Sequence, residues 1–333
     1  MTADVYLRTF LAPLAQWLQR ADVTDILVNQ PGEVWIEQAG GAMERVEAPD
    51  LNASTLQRLA QQIAAVSHQG VNREHPLLAA TLPSGERVQV VAPPATRGAL
   101  AMAIRKHVVA DLTLDSYERT GAFSSVRRSD VSHGRPIDPE LDAILQKGQI
   151  LQFLRQAVRN GKTILVSGGT ATGKTTFLNA LLKEIPADER VIVIEDTPEI
   201  QLARPNGVGL VAVKGDLGEA RVGVNELLQA ALRMRPDRLL VGEVRGAEAF
   251  TFLRAINTGH PGSITTVHAD SPRGALEQIA FMALQAGTNL ARAEIIAYAR
   301  EVIDIIVQLA RTGGRRRVAA IAFNRGATVE LPA

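Results

Sequence analysis

Residues Thr163–Asn179 read TILVSGGTATGKTTFLN, and this stretch constrains the fold more than any other. The apolar run Thr163–Val166 predicts a buried strand. A glycine-rich turn follows, and a helix pattern starts at about Lys174. Gly168, then four residues, then Gly173, Lys174 and Thr175 meet the phosphate-loop spacing G-x-x-x-x-G-K-[ST]. An ordinary glycine-rich turn carrying a solvated lysine is the alternative; strand before and helix after favour phosphate binding. Glycines let the backbone point N–H groups at phosphate oxygens. The helix start adds its positive dipole end. Lys174 supplies charge for the β and γ phosphates, and the Thr175 hydroxyl is placed for Mg²⁺. The expected cofactors are ATP and Mg²⁺. The expected binding set is Gly168, Gly169, Thr170, Ala171, Thr172, Gly173, Lys174, Thr175 and Thr176.

A chain of 333 residues has room for two domains with separate cores. Net charge is +1, so no global field draws in nucleic acid or an anionic membrane, although a local basic face stays open. There are no cysteines, which excludes a disulfide framework and thiolate metal sites. No apolar stretch approaches the ~20 residues that span a bilayer. The first residues read as an amphipathic helix, not a signal peptide. A cytoplasmic location is expected.

Helical spacing covers 4–20. Strands are predicted at Asp25–Val28 and Glu33–Glu37, a helix at Asn52–His68, and strands at Glu86–Val91 and Leu100–Arg105. This is a small α+β domain, 1–110. Gly, Pro and Ser residues mark 111–139 as a linker with one short helix near Leu114–Glu118. A helix opens at Asp138 and runs to about Asn160. From there strands and helices alternate, which predicts an α/β domain, 140–333, with a mostly parallel sheet. Strands are expected at 163–167, 190–195, 209–213, 238–242, 263–268, 302–309 and 317–323.

Three groups of residues cluster at predicted strand ends, where parallel sheets bind ligands. Val191–Glu195 runs into Asp196 and Glu199. The strand follows the loop helix, so it is expected close to the loop strand, with Glu195, Asp196 and Glu199 facing Mg²⁺ and the attacking water. Solvated loop acids are the alternative. Arg238–Val241 ends in Gly242-Glu243, where many phosphate-loop ATPases have Asp then Glu. Glu243 is therefore the candidate base. His260 and His268 bracket a short strand; either senses the γ-phosphate or is satisfied in the core or at a cap. Arg87, Arg105, Arg233, Arg235 and Arg245 are candidate phosphate clamps or solvated residues. Arg315–Arg317 beside Gly313-Gly314 reads as a hairpin turn with a solvated face.

GGTATGKTT, VIEDTPEI, LRMRPDRLLVGEVRGAEA and NTGHPGSITTVHADSP together resemble the secretion NTPases of type II and type IV systems. There the four segments are called Walker A, Asp box, atypical Walker B and His box. The third and fourth are most similar to the VirB-type traffic ATPases of conjugative type IV secretion. The strong match spans about Lys162–Ser271; the first domain matches more weakly, through SGERVQVVAPP and IRKH. Ala171 and Thr172 stand where the family loop has Gly and Ser. The resemblance implies a homohexameric ring of RecA-like domains, a second ring of PAS-like N-terminal domains, and inner-membrane secretion components as partners. No sequence-specific nucleic-acid binding is expected. It matches Glu199 to the Asp-box acid, Glu243 to the Walker B glutamate, His268 to the His-box histidine, and Arg87 and Arg105 to first-domain arginines that contact phosphate. Three other readings stay open: a type II secretion or pilus motor, a RecA-type nucleic-acid motor, and a scaffold that binds nucleotide only to assemble.

Overall fold

The computed structural model describes residues 2–39, 43–106, 114–119, 138–213, 219–323 and 328–330. Most of the expected linker, 111–139, lies outside them. The piece that is described, α4 (Leu114–Arg119), coincides with the expected short helix.

The first domain opens with α1 (Thr2–Leu11), a 3₁₀ turn (Ala12–Leu14) and α2 (Ala15–Leu18). The expected single helix is interrupted where Pro13 lacks the N–H for a helical bond. Then come β1 (Val23–Val28), β2 (Gly32–Gln38), β3 (Met43–Ala48), α3 (Ala53–Val66), β4 (Leu77–Thr81), β5 (Arg87–Val91) and β6 (Ala101–Arg105). They form one antiparallel sheet in the order β3-β2-β1-β6-β5-β4. Two of these strands carry weak local signals. β3, MERVEA, is a polar edge strand, and β4 contains alanines of low strand propensity. Asn52 caps α3 by accepting from Thr55 N–H at 2.9 Å. Strand alternation splits the sheet. Ile26, Val28 and Ile104 face the core shared with α1 and α3. Leu27, Ala101 and Ala103 face the other way, into the core of the second domain.

The second domain begins with α5 (Pro139–Gln146) and α6 (Ile150–Arg159). These replace the single helix expected to Asn160, because Gly148 at φ +68° breaks the helical path between them. Next come β7 (Ile164–Gly168), α7 (Lys174–Leu182), β8 (Val191–Glu195), β9 (Gly207–Val211), α8 (Val224–Ala231), β10 (Arg238–Val241), α9 (Glu248–Asn257), β11 (Ile264–Val267), α10 (Pro272–Leu284), α11 (Arg292–Val302), β12 (Ile305–Thr312), β13 (Arg315–Phe323) and β14 (Thr328–Glu330). The sheet order is β14-β13-β12-β7-β11-β10-β8-β9. β12 through β9 are parallel, and the last two strands turn back antiparallel. β8, expected close to β7, lies in the same sheet but is not its neighbour: β11 and β10 separate them. The crossover from β7 to β8 passes two strand positions that later strands fill.

The parallel strands are apolar on both faces, as helices on both sides require. Val191 and Val193 pack toward α5, α6 and α7, while Ile192 and Ile194 pack toward α8 and α9. β9 would be an open edge. The first domain covers it: Val211 N–H donates to Ala95 C=O at 3.0 Å, and Arg97 N–H donates to Gly209 C=O at 2.9 Å.

Candidate active site

β7 delivers the chain to Gly168, and α7 starts at Lys174 with Gly173 as its N-cap at φ +90°. A Cβ on Gly173 would stand 2.9 Å from Cδ of Arg316, so only glycine fits the turn and its neighbour together. Ala171 takes φ +60°, a left-handed conformation costing roughly 1–2 kcal/mol for a residue with a Cβ. Thr172, the other departure from the family loop, closes the turn by donating its hydroxyl to Gly169 C=O at 2.8 Å.

The loop borders a cavity of about 460 Å³. Residues 169–176 form one wall, and Glu195, Asp196, Thr197 and Glu199 form a second. Gly242, Glu243, Arg245, Thr266 and His268 form the floor. Gly168 sits behind the lining and accepts from Lys174 Nζ at 3.1 Å.

Four charged or titratable side chains meet on that floor. Glu243 Oε1 lies 3.0 Å from His268 Nε2 and 3.5 Å from Lys174 Nζ. Lys174 Nζ is also 3.1 Å from His268 Nε2. Arg245 Nε donates to Glu243 Oε2 at 2.6 Å, and Arg245 Nη1 pairs with Asp196 at 3.5 Å. Burial pushes the Lys174 ammonium below its ordinary value, and Glu243 opposes the shift. The Glu243 carboxylate raises the Arg245 guanidinium. Backbone and hydroxyl bonds hold the floor. Val244 N–H donates to Thr266 C=O at 3.0 Å, and Thr266 Oγ1 donates to Gly242 C=O at 2.8 Å. His260 stands apart as a helix-end contact, its Nδ1 3.0 Å from Ala255 O.

Glu195 behaves differently from the expected metal ligand. Its side chain is 3% exposed. Oε1 accepts from the N–H groups of Glu199 at 3.0 Å and Ile200 at 2.7 Å, and Oε2 is ion-paired with Arg97. Both oxygens already have protein partners, which leaves less of the carboxylate for Mg²⁺. Thr175, Asp196 and Glu199 also line the cavity beside the loop, and their oxygens make a hard-ligand set that suits Mg²⁺.

Arg87 and Arg105 do not line the cavity within the chain. They are cross-strand partners on β5 and β6, and Arg105 Nε donates to Asp25 at 2.9 Å. They sit at the far end of those strands from the 95–97 segment that docks on β9, roughly 13 Å of strand away. Two other arginines take up positions that sequence reasoning passed over. Arg97 reaches Glu195 from the first domain. Arg316, read as part of a solvated triplet, lines the cavity over Gly173. Strand alternation was the available signal: on β13 it turns Arg316 to the opposite face from Arg315 and Arg317.

The type II/IV secretion system protein model matches residues 9–319. The chain belongs to this family. Family relatives match along nearly its whole length. Type IV secretion system protein VirB11 of Bartonella henselae is 38% identical over 329 residues, 95% of this chain and 92% of the relative. PtlH of Bordetella pertussis, also a type IV secretion system protein, is 41% identical over 329 residues, 95% of this chain and 94% of that one. The crystal structure of the Brucella suis VirB11 ATPase in complex with sulphate superposes with a TM-score of 0.89 at 36% identity, covering 97% of this chain and 95% of that one.

Proposed function

We propose that this chain hydrolyses ATP to drive transfer through a type IV secretion system, as a VirB11-type ATPase. The observation that carries the reading is the meeting of Lys174, Glu243 and His268 on the floor of a phosphate-loop cavity. Each residue has a task there. The loop amides and Lys174 hold the β and γ phosphates. Glu243 is fixed on Oε2 by Arg245, and its Oε1 lies beside His268 and Lys174; it orients water and takes its proton as the water oxygen bonds to the γ phosphorus and the γ P–O bond to the ADP leaving group breaks. His268 sits where it reports on the same oxygen. Mg²⁺, when bound, neutralises charge on the β and γ phosphates. Thr175, Asp196 and Glu199 are the side chains placed to hold it.

The working form we propose is a homohexameric ring that docks on inner-membrane components, with the N-terminal domain, 1–110, moving against the ATPase domain, 140–333. Arg87 and Arg105 then serve a neighbouring copy or a closed form, since they do not line their own cavity here. Among the described residues no helix is long and apolar enough to cross a membrane. The test is ATP turnover by the purified chain beside its Lys174→Ala variant. Turnover is expected in the first and loss of nucleotide binding in the second. Normal turnover without Lys174 removes the reading.

A further inference from the structure

We propose that Arg97 is a positioning residue for the hydrolytic step: through Glu195 it sets the loop that carries Asp196 and Glu199, and so ties that loop to the first domain. The inference rests on the ATPase reading above, and it concerns residues outside the loop–Glu243–His268 set.

The connection is built from several independent contacts. Segment 95–97 adds itself to the open edge of β9, where Thr96 pairs with Leu210 and Arg97 N–H donates to Gly209. From there the Arg97 side chain crosses over β9 to the end of β8. It pairs with Glu195 Oε2 and donates from Nη1 to Ile200 C=O at 2.9 Å. Glu195 Oε1 binds the N–H groups of Glu199 and Ile200. The four residues 196–199 are thus closed into a turn by one carboxylate, and that carboxylate is held by a guanidinium from another domain. Charge-assisted hydrogen bonds of this kind are the strong ones. On its other flank the turn is tied to the loop helix. Asn179 on α7 accepts from Gln201 N–H at 2.8 Å and donates to Glu199 C=O at 3.2 Å.

Two glycines make the path. A Cβ on Gly209 would stand 2.5 Å from Arg97 Cδ, and one on Gly242 would stand 3.1 Å from Glu195 Cγ. The second contact makes position 242 tight for a side chain. A Cβ there would press on the Glu195 stem. In this chain the place beside the base is given to a side chain that reports the position of the first domain.

The other end of β8 is tied to the same domain. Arg190, immediately before the strand, is fully buried; Nη1 donates to Asn29 Oδ1 at 2.6 Å and to Asn206 Oδ1 at 2.7 Å. Asn29 lies in the β1–β2 turn. A displacement of the first domain therefore acts on both ends of one short strand, and the acid turn is its outlet.

The experiment compares steady-state ATP turnover and ADP affinity in the full chain, its Arg97→Ala, Arg97→Lys and Glu195→Gln variants and the double variant. kcat is expected to fall ~10-fold or more in Arg97→Ala and Glu195→Gln, with KM for ATP and ADP affinity within about threefold of the parent. Arg97→Lys restores part of the loss, and the double variant is no worse than the poorer single one. Arg73→Ala breaks a second pair between the domains, Arg73–Glu219, whose side chains are 65% and 56% exposed; it is expected to leave kcat unchanged. Unchanged kcat in Arg97→Ala, or additive losses in the double variant, overturns the proposal. If Arg97→Ala does not fold, Glu195→Gln and Arg97→Lys decide on the same criteria. No turnover in the parent chain would instead defeat the ATPase reading.

Discussion

Oε1 of Glu243 lies 3.0 Å from Nε2 of His268, and that same nitrogen lies 3.1 Å from Nζ of Lys174. One ring nitrogen cannot donate to a carboxylate and accept from an ammonium together. With the proton on Nε2, His268 holds the Glu243 carboxylate; with the proton on Nδ1, it holds Lys174. The tautomer of His268 therefore decides whether the ring is bonded to Glu243 or to Lys174. His268→Gln is expected to lower kcat roughly 10-fold or more while KM for ATP changes little. Steady-state kinetics check it, and an equal loss in nucleotide affinity would assign His268 to binding instead.

Arg316 stands over Gly173 on the cavity wall, whereas Arg315 points from the opposite face of β13. A guanidinium beside the loop adds charge for the nucleotide phosphates. Arg316→Ala is expected to weaken ADP binding about 10-fold, the effect of losing one hydrogen bond to a charged group. Arg315→Ala should bind as the parent does. Titration with a fluorescent ADP analogue separates the two.

Asp138 caps α5, accepting from Leu141 N–H at 3.3 Å with Lys162 Nζ 3.3 Å away. Burial raises its carboxyl, but the Leu141 amide, Lys162 and Asn160 together bring it below its ordinary 3.8. A depressed folded value means that stability is present above the unfolded value and is lost as pH falls through the folded one. Asp138→Ala is expected to cost about 1 kcal/mol at pH 7 by denaturant unfolding. The gap between parent and variant should close below pH 3.8.

The chemistry-bearing strand ends were legible because each joins an apolar run to a charged residue. That pattern places Lys174, Glu199, Glu243 and His268 on one side of a parallel sheet without knowledge of strand order. Order itself was not legible: β8 follows the loop helix in sequence yet sits three places from β7. The role of Glu195 was hidden for the same reason. Its partner Arg97 is nearly a hundred residues earlier, and the glycines that admit the pair, Gly209 and Gly242, look like any strand glycines. β3 and β4 escaped because edge position and alanine content erase the alternating pattern.

The most direct test of the account is Glu243→Gln, assayed for ATP binding and for turnover in the same preparation. Glutamine keeps the shape and the Arg245 and His268 neighbours but cannot take the proton from water. Retained ATP binding with turnover reduced ~100-fold or more is the expected result. Turnover near that of the parent would contradict the assignment of Glu243 as the base.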